Sequence, residues 1–236
     1  MHNKKTINPL FQVGLDIHDR ECLIIGGGNE SENKCDRLLD AGAKVQIIAQ
    51  QLTPKLNRWA ADKIITHKTD AFCEADLENI MLVVNTLSEN TQFSQNLYKL
   101  ASKKNILINS FDDPNYSNFG MVALVRKGHL RLSVSTSNTS PSLAARIRQD
   151  MDTIFSTEEF LDFSKILAKL RQNIRIRIPN RKKRFALLRS LVQQFQIEGK
   201  IHYPNCWQER FSEILNCQQK NCEDKLKSCQ SCPLSK

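Results

Sequence analysis

The sequence predicts an α/β protein: buried parallel strands alternating with helices over the first half of the chain, then a short two-stranded region, then helices. Three observations predict it. The runs Cys22–Ile25, Val45–Ala49, Ile80–Val84 and Ile106–Ile108 are short, apolar and nearly free of polar alternation, as strands covered on both faces are. Stretches of helical spacing lie between them, and strands alternating with helices form parallel sheets with right-handed crossovers. Three glycines, Gly26-Gly27-Gly28, follow the first run at once, where a backbone must turn tightly from strand to helix and can approach a phosphate closely.

In chain order, Gly14 to Arg20 reads as a polar turn before the first strand. The helix after the glycines carries Leu38 and Leu39 inward and closes at Gly42, because the residue beyond a helix end commonly takes the left-handed conformation. Thr53-Pro54 opens a second helix, ending near Asp62, with Pro in the first turn, where no N–H is needed. Ile64 to His67 predicts a short third strand and Ile80 to Val84 a fourth, ending in Asn85-Thr86. Thr91 to Lys103 predicts a helix and Ile106 to Asn109 a fifth strand.

The pattern changes after Asp113-Pro114. Met121–Val125 and Leu130–Ser135 predict a hairpin around Arg126-Lys127-Gly128-His129. In its second strand Leu130, Leu132 and Val134 alternate with Arg131, Ser133 and Ser135, so one face is wet. Ser140 caps a helix that begins at Pro141 and runs through Leu143, Ala144 and Ile147. Thr157-Glu158-Glu159 opens a longer helix with acids in its first turn. Arg175 to Arg184 reads as a basic connector interrupted by Pro179, and Phe185–Phe195 and Trp207–Leu215 as two more amphipathic helices.

The 236 residues, 40% hydrophobic and 25% charged, allow one large domain or two modest ones. No apolar run approaches the ~20 residues of a membrane span, and no apolar stretch follows the basic residues of Met1 to Pro9 as a signal peptide requires. The expectation is a cytoplasmic protein without a membrane partner. Of the net charge of +9, residues 151–236 carry most, with 16 Lys and Arg against 9 Asp and Glu; the first 150 residues hold 18 against 16. The C-terminal part therefore faces something acidic, or is a solvated basic surface; nucleic acid, anionic lipid and a polycarboxylate ligand all fit. Nucleic acid ranks last, because the basic residues of 175–184 lack interleaved aromatics.

Of eight cysteines, Cys22, Cys35 and Cys73 read as small core residues. The tail holds Cys217, Cys222, Cys229 and Cys232 within sixteen residues. Two thiols at Cys-x2-Cys spacing can meet one zinc ion or an iron–sulfur cluster. The other reading is a disordered polar tail.

In a parallel sheet, ligands bind beyond the C-terminal ends of the strands. The residues at those ends are Gly26, Gly27, Gly28, Asn29 and Glu30, then Gln50 and Gln51, then Asn85 and Thr86, then Asn109 to Asp112. Free N–H groups and the helix dipole after Gly28 suit a pyrophosphate; the same residues also serve as a tight turn with no ligand. No Asp or Glu ends the second strand to bind a ribose hydroxyl, and Gln50 and Gln51 can hydrogen-bond there instead. The hydroxyl-rich loop from Ser135 to Ser140, with Thr136, reads either as an anion receiver or as a well-capped helix start.

Taken together, Pro9-Leu10-Phe11, Cys22-Leu-Ile-Ile-Gly26-Gly27-Gly28, Lys34, Leu38-Leu39-x-Ala41-Gly42-Ala43, Asn109-x-x-Asp112-Asp113-Pro114, Asn118-Phe119, Val125-Arg126-Lys127-Gly128-x-Leu130 and Ser135-Thr136-x-x-Thr139-Ser140-Pro141-x-Leu143-Ala144 resemble the siroheme synthase N-terminal family. The likeness covers about residues 8–150, and more loosely the helices to about Leu215. It implies a Rossmann-like NAD-binding domain over 1–113, a dimerisation region over 114–150, a helical domain over 151–215, and leaves 216–236 as a cysteine-rich tail outside the family pattern. It implies NAD-dependent oxidation of precorrin-2 to sirohydrochlorin in siroheme biosynthesis, by a homodimer. Some members also act as ferrochelatases, with ferrous iron as the chelation substrate. By the resemblance, Asp112 is the general acid/base; Asn29, Glu30, Gln50 and Gln51 lie where NAD is contacted, and Thr136 falls where some members carry a phosphorylated serine. Ser140, at a helix start, suits a substrate carboxylate. The chain departs from the family at Glu30, Ser31 and Asn33, and at Ser137 and Asn138. Glu30 and Ser31 motivate the competing expectation of a non-catalytic tetrapyrrole-binding or delivery protein on the same fold.

Overall fold

The apolar runs and one shorter segment become a five-stranded sheet in the computed structural model, which describes residues 10–87, 89–137, 139–206, 208–209 and 211–212. The strands are β1 (Glu21–Ile25), β2 (Lys44–Ile48), β3 (Thr66–Lys68), β4 (Leu82–Asn85) and β5 (Leu107–Ser110). They lie in the order β3-β2-β1-β4-β5, every neighbouring pair parallel. The chain thus builds outward from β1 to β3, then returns to β1's other side for β4 and β5. That reversal places a crevice between the C-terminal ends of β1 and β4. Ile25 pairs in register with both Ile48 and Asn85, and Asn85 with Ser110, so the strand ends form one level rim.

Period-two alternation sorts the side chains into two core layers. Cys22, Ile24, Val45, Ile47, Leu82 and Val84 pack with Cys35 and Leu38 of α1 (Asn29–Asp40) and Leu56 of α2 (Pro54–Ala61). Leu23, Ile25, Ile48, Val83 and Ile108 pack on the other face with Leu97 and Ala101 of α3 (Thr91–Lys103). Each such buried Leu, Ile or Val contributes about 1.5–3 kcal/mol relative to exposure. The helix ends follow their sequence signals. Gly42 has φ +81° and its N–H reaches Leu39 O, while the Ala43 N–H reaches Leu38 O. Thr53 Oγ1 accepts the Leu56 N–H at 3.2 Å to cap α2.

Three boundaries differ from expectation. The third strand begins at Thr66, not Ile64, because Lys63 turns left-handed (φ +56°) and the N–H groups of Ile64 and Ile65 both close onto Trp59 O, ending α2. The hairpin strands are β6 (Ala123–Lys127) and β7 (Leu130–Val134), joined by Gly128-His129 alone. Met121 packs against the parallel sheet's core instead of starting β6. The expected basic connector is mostly helical: α5 (Glu158–Arg177) runs up to the break at Pro179, and α6 (Arg181–Ser190) restarts with Asn180 Oδ1 accepting the Lys183 N–H. Proline and the residue before it disfavour helix, but the arginines on either side favour it.

The hairpin is tied to α1 by charge. Arg126 contacts Asp36 at 2.8 Å and Asp40 at 3.5 Å, and Arg131 contacts Asp40 at 3.2 Å. Arg37 donates to Val122 O at 2.9 Å. Its burial, with Arg126 nearby, lowers its pKa, whereas the Asp36 hydrogen bond raises that of Arg126. Lys127 meets Asp152 of α4 (Pro141–Ile154) at 2.9 Å.

The chain divides into two compact units, Met1–Lys169 and Leu170–Lys236, with the boundary inside α5. In the second unit Ile174 is buried and α6 presents Phe185 and Leu187 to the surface. Beyond Ser190 the helical bonds give way to tighter turns through Phe195, so the helix expected over Phe185–Phe195 instead begins at Arg181 and ends at Ser190. Of the helix expected over Trp207–Leu215, Gln208, Glu209, Phe211 and Ser212 are helical; the rest lies outside the described residues. No helix among the described residues is long and apolar enough to cross a membrane.

Candidate active site

The glycine turn is built by close approach on two sides and openness on the third. Gly26 has φ +113°, and a Cβ there would stand 2.2 Å from Thr86 Oγ1. A Cβ on Gly27 would stand 1.9 Å from the backbone oxygen of Gln51. Those two glycines are therefore fixed by packing, the turn lying between the ends of β2 and β4. Gly28 is different: its φ is −84° and a Cβ there would meet nothing within 4 Å. It is also the N-cap of α1, and no side chain caps that end. An open glycine beside an uncapped twelve-residue helix is a cradle that a pyrophosphate fits, with the helix dipole in its favour.

Two of the residues that depart from the resembled pattern, Ser31 and Glu30, have partners. Ser31 is fully buried, and its Oγ lies 2.7 Å from Thr86 Oγ1. Because the Thr86 hydroxyl donates to Ile25 O at 3.0 Å, Ser31 is the donor between them. Glu30 turns along α1 to Lys34, Oε1 to Nζ 2.6 Å. An adjacent ammonium offsets the repulsion a carboxylate there would offer a phosphate.

The remaining expected cofactor residues sort by what their side chains already do. Asn29 is exposed at the first position of α1, and Gln50 and Gln51 are exposed beyond β2. All three stand on the rim with side chains available to a ligand. Asn85 is fully buried: its Nδ2 donates to Ser94 Oγ at 2.9 Å, and its Oδ1 accepts the Leu87 N–H at 3.1 Å. Its carboxamide holds the loop after β4 onto α3. Thr86 clamps the glycine turn, as described.

Asp112 follows β5 in an exposed turn, with φ +55°. The turn is held from below. The Phe111 N–H donates to Asn85 O at 2.8 Å and the Asp113 N–H to Ser110 O at 3.1 Å. Ser117 Oγ accepts the Ser110 N–H and donates to Asp113 O, each at 2.9 Å. Asn118 Oδ1 accepts the Ile108 N–H at 2.7 Å, and Asn118 Nδ2 donates to Ile106 O at 3.1 Å, so a side chain does a strand's work along β5. Among the described residues Ser110 Oγ is the buried side-chain polar atom with no hydrogen-bond partner.

Thr136 and Ser140 hold each other. Thr136 Oγ1 donates to Ser140 O at 2.9 Å and accepts the Ser140 N–H at 3.2 Å, while Ser140 Oγ accepts the Leu143 N–H at 3.2 Å. The capped-helix half of the sequence reading describes these bonds. Cys217, Cys222, Cys229 and Cys232 lie outside the described residues; among the described ones no cluster of His, Cys, Asp or Glu is arranged to hold a metal. One residue not singled out for the site completes its β5 side: Lys34, whose Nζ lies 5.7 Å from the ring centroid of Phe111, itself within the expected strand end 109–112. The spacing of Glu30 and Lys34 announced their pairing; the meeting of Lys34 with Phe111 had no local signal.

A family model described as "Putative NAD(P)-binding" matches residues 13–123. The chain is 30% identical over 175 residues to "Siroheme synthase" of Xylella fastidiosa, an alignment covering 74% of this chain and 37% of that protein. It is 32% identical over 146 residues to "Siroheme synthase 2" of Klebsiella pneumoniae, covering 62% and 31% respectively. The chain thus spans about a third of the length of the curated relatives it matches. Among solved structures, "SirC, precorrin-2 dehydrogenase" superposes with a TM-score of 0.66 at 24% identity, over 78% of this chain and 90% of that one. The fold is the same Rossmann-like parallel sheet followed by a helical region.

Proposed function

Because the chain belongs to the siroheme synthase N-terminal family, we propose that it is an NAD-dependent precorrin-2 dehydrogenase, oxidising precorrin-2 to sirohydrochlorin. The observation that carries the reading is that one rim of the sheet holds both the open glycine cradle at Gly28 and the Asp112 turn.

NAD, when bound, accepts the hydride. Gly28 and the first turn of α1 would receive its pyrophosphate, and Asn29, Gln50 and Gln51 its ribose hydroxyls. Lys34 keeps the Glu30 carboxylate occupied. Loss of a hydride from the reduced macrocycle must be matched by loss of a proton, and Asp112, exposed at the rim, is the proposed acceptor. Its left-handed turn, fastened by Ser117 and the Asn85 carbonyl, presents a carboxylate without requiring the strand to bend. The balance is one hydride to NAD and one proton to Asp112 for each new double bond.

Further parts of the reading are proposed too, the iron and the homodimer on the family's account. Ferrous iron would be a chelation substrate of the same rim. Thr136 and Ser140 would meet a substrate carboxylate through their loop. A homodimer would cover the exposed Leu143, Ile147 and Ile154 of α4. The tail cysteines would hold a separate zinc or iron site, on spacing alone; elemental analysis of the anaerobically purified chain, with and without residues 216–236, tests that. The function itself is tested by incubating the full chain with precorrin-2 and NAD. Formation of sirohydrochlorin and NADH in equal amounts is expected. No sirohydrochlorin, where a control dehydrogenase makes it, would overturn the reading, and sirohydrochlorin binding without NAD binding would install the non-catalytic carrier in its place.

A further inference from the structure

We propose that Lys34 anchors a carboxylate of the tetrapyrrole substrate, and that Glu30 occupies the Lys34 ammonium until the substrate's own carboxylate displaces it. The inference rests on the precorrin-2 reading above and deepens it by naming a substrate-binding residue.

The Lys34 side chain is 13% exposed, and its Nζ lies 2.6 Å from Glu30 Oε1 and 5.7 Å from the Phe111 ring centroid. An ammonium has three donors, and among the described residues Glu30 is the one carboxylate it contacts. Lysine is rarely withdrawn from water to this degree. An i,i+4 pair needs no such burial, since it gains only ~0.3–0.5 kcal/mol on an open helix surface. The same pairing with both residues in solvent would serve α1 equally well. The withdrawal is explained by what the ammonium faces.

Strand order decides which ligand that is. β5 lies beyond β4 on the side of β1 opposite to β2 and β3. The ribose-facing residues Gln50 and Gln51 therefore stand on one half of the rim, and the Phe111-Asp112 turn on the other. The pyrophosphate cradle is at Gly28, at the start of α1; Lys34 is farther along that helix and touches the Asp112 side. An anion bound to Lys34 is thus a neighbour of the reacting group, which describes a peripheral carboxylate of the macrocycle and not the cofactor's phosphates. Glu30 supplies the same chemical group in the meantime. Its side chain is 30% exposed, so it has a way out to solvent when a substrate carboxylate arrives. A charge-assisted hydrogen bond with a ring beside it is a contact of the stronger kind.

Two substitutions of opposite sign test the exchange. Lys34→Gln is expected to raise the KM for precorrin-2 and the Kd for sirohydrochlorin about tenfold or more, the usual worth of a hydrogen bond to a charged group, with a smaller rise in the Kd for NAD because Glu30 loses its partner beside the pyrophosphate cradle. Lys34→Arg is expected to recover most of that loss. Glu30→Gln removes the competitor and is expected to lower both tetrapyrrole constants. An unaltered sirohydrochlorin Kd in Lys34→Gln, a loss confined to NAD, or weaker tetrapyrrole binding in Glu30→Gln would each overturn the proposal. Should Lys34→Gln fail to fold, Glu30→Gln decides alone. A wild-type chain that binds sirohydrochlorin yet never oxidises precorrin-2 sinks the dehydrogenase reading while the Kd comparison still judges Lys34; one that binds no tetrapyrrole overturns both.

Discussion

Ser31 Oγ and Thr86 Oγ1 lie 2.7 Å apart, 55 positions apart in the chain. The contact joins the first turn of α1 to the loop after β4, and the Thr86 hydroxyl continues it to Ile25 O. A serine in this position is tolerated because its hydroxyl has a partner inside the fold. Removing Thr86 alone, as Thr86→Val, strands a fully buried hydroxyl, at a cost of about 1–3 kcal/mol. Adding Ser31→Ala to Thr86→Val removes the stranded group, and the double variant is expected to be more stable than Thr86→Val. Urea unfolding of Thr86→Val, Ser31→Ala and the double variant measures this; simple additivity of the two single losses would contradict it.

Gly27 and Gly28 are expected to fail in different ways. A Cβ on Gly27 stands 1.9 Å from backbone, so Gly27→Ala must displace the loop after β2, lowering the melting temperature and NAD affinity together. Gly28→Ala enters open space at a φ that alanine adopts readily. Its stability is expected to change by less than about 1 kcal/mol, the scale of an N-cap exchange, while the Kd for NAD rises. Calorimetry of both variants against NAD, beside their melting curves, separates a packing glycine from a ligand-approach glycine.

Asp112→Asn is expected to keep the fold, because asparagine tolerates the left-handed conformation that Asp112 adopts. The proton acceptor is lost, and the oxidation rate is expected to fall ~10²–10⁴-fold, with NAD affinity intact. A fall of less than about tenfold in single-turnover measurements would transfer the role to Asp113 or to solvent.

Cys22 and Cys35 are expected to stay thiols in the folded chain far above the usual range. Burial, then Glu21, pushes Cys22 from 9.0 to about 11; burial, then Asp36, pushes Cys35 from 9.0 to about 12. The sign follows directly. Above pH 9 the unfolded chain has released these protons and the folded chain still holds them, so stability falls as pH rises from 9 towards 11. The double variant Cys22→Ala/Cys35→Ala should therefore lose less stability over that range than the parent, whatever its starting value. Melting temperatures at pH 8, 9 and 10 give the comparison, and a parallel decline in both proteins would count against it.

The sequence by itself determined the elements and most of their ends. The buried runs, the glycine turn, Thr53 and Ser140 as caps and Gly42 beyond α1 all act through bonds within a turn or two of the chain, and local spacing displays them. The i,i+4 pair of Glu30 and Lys34 was legible for the same reason. Where two local rules competed, the boundary moved: Ile64 and Ile65 looked like strand, but the left-handed turn at Lys63 spent their N–H groups on closing α2.

Tertiary structure alone decided which rim residues remain available and which are consumed by the fold. Asn85 looks from the sequence like a rim ligand, yet α3 brings Ser94 against its carboxamide. Gly26 and Gly28 are the same residue type two positions apart, yet one is walled by Thr86 and the other is open. Lys34 meets Phe111 only because the fold brings α1 within reach of the turn after β5. Periodicity and capping are set by a residue's chain neighbours, whereas a site gathers strand ends whose meeting depends on the order in which the strands pair. That order is fixed by how all the apolar faces are buried at once, which no single stretch of the chain encodes.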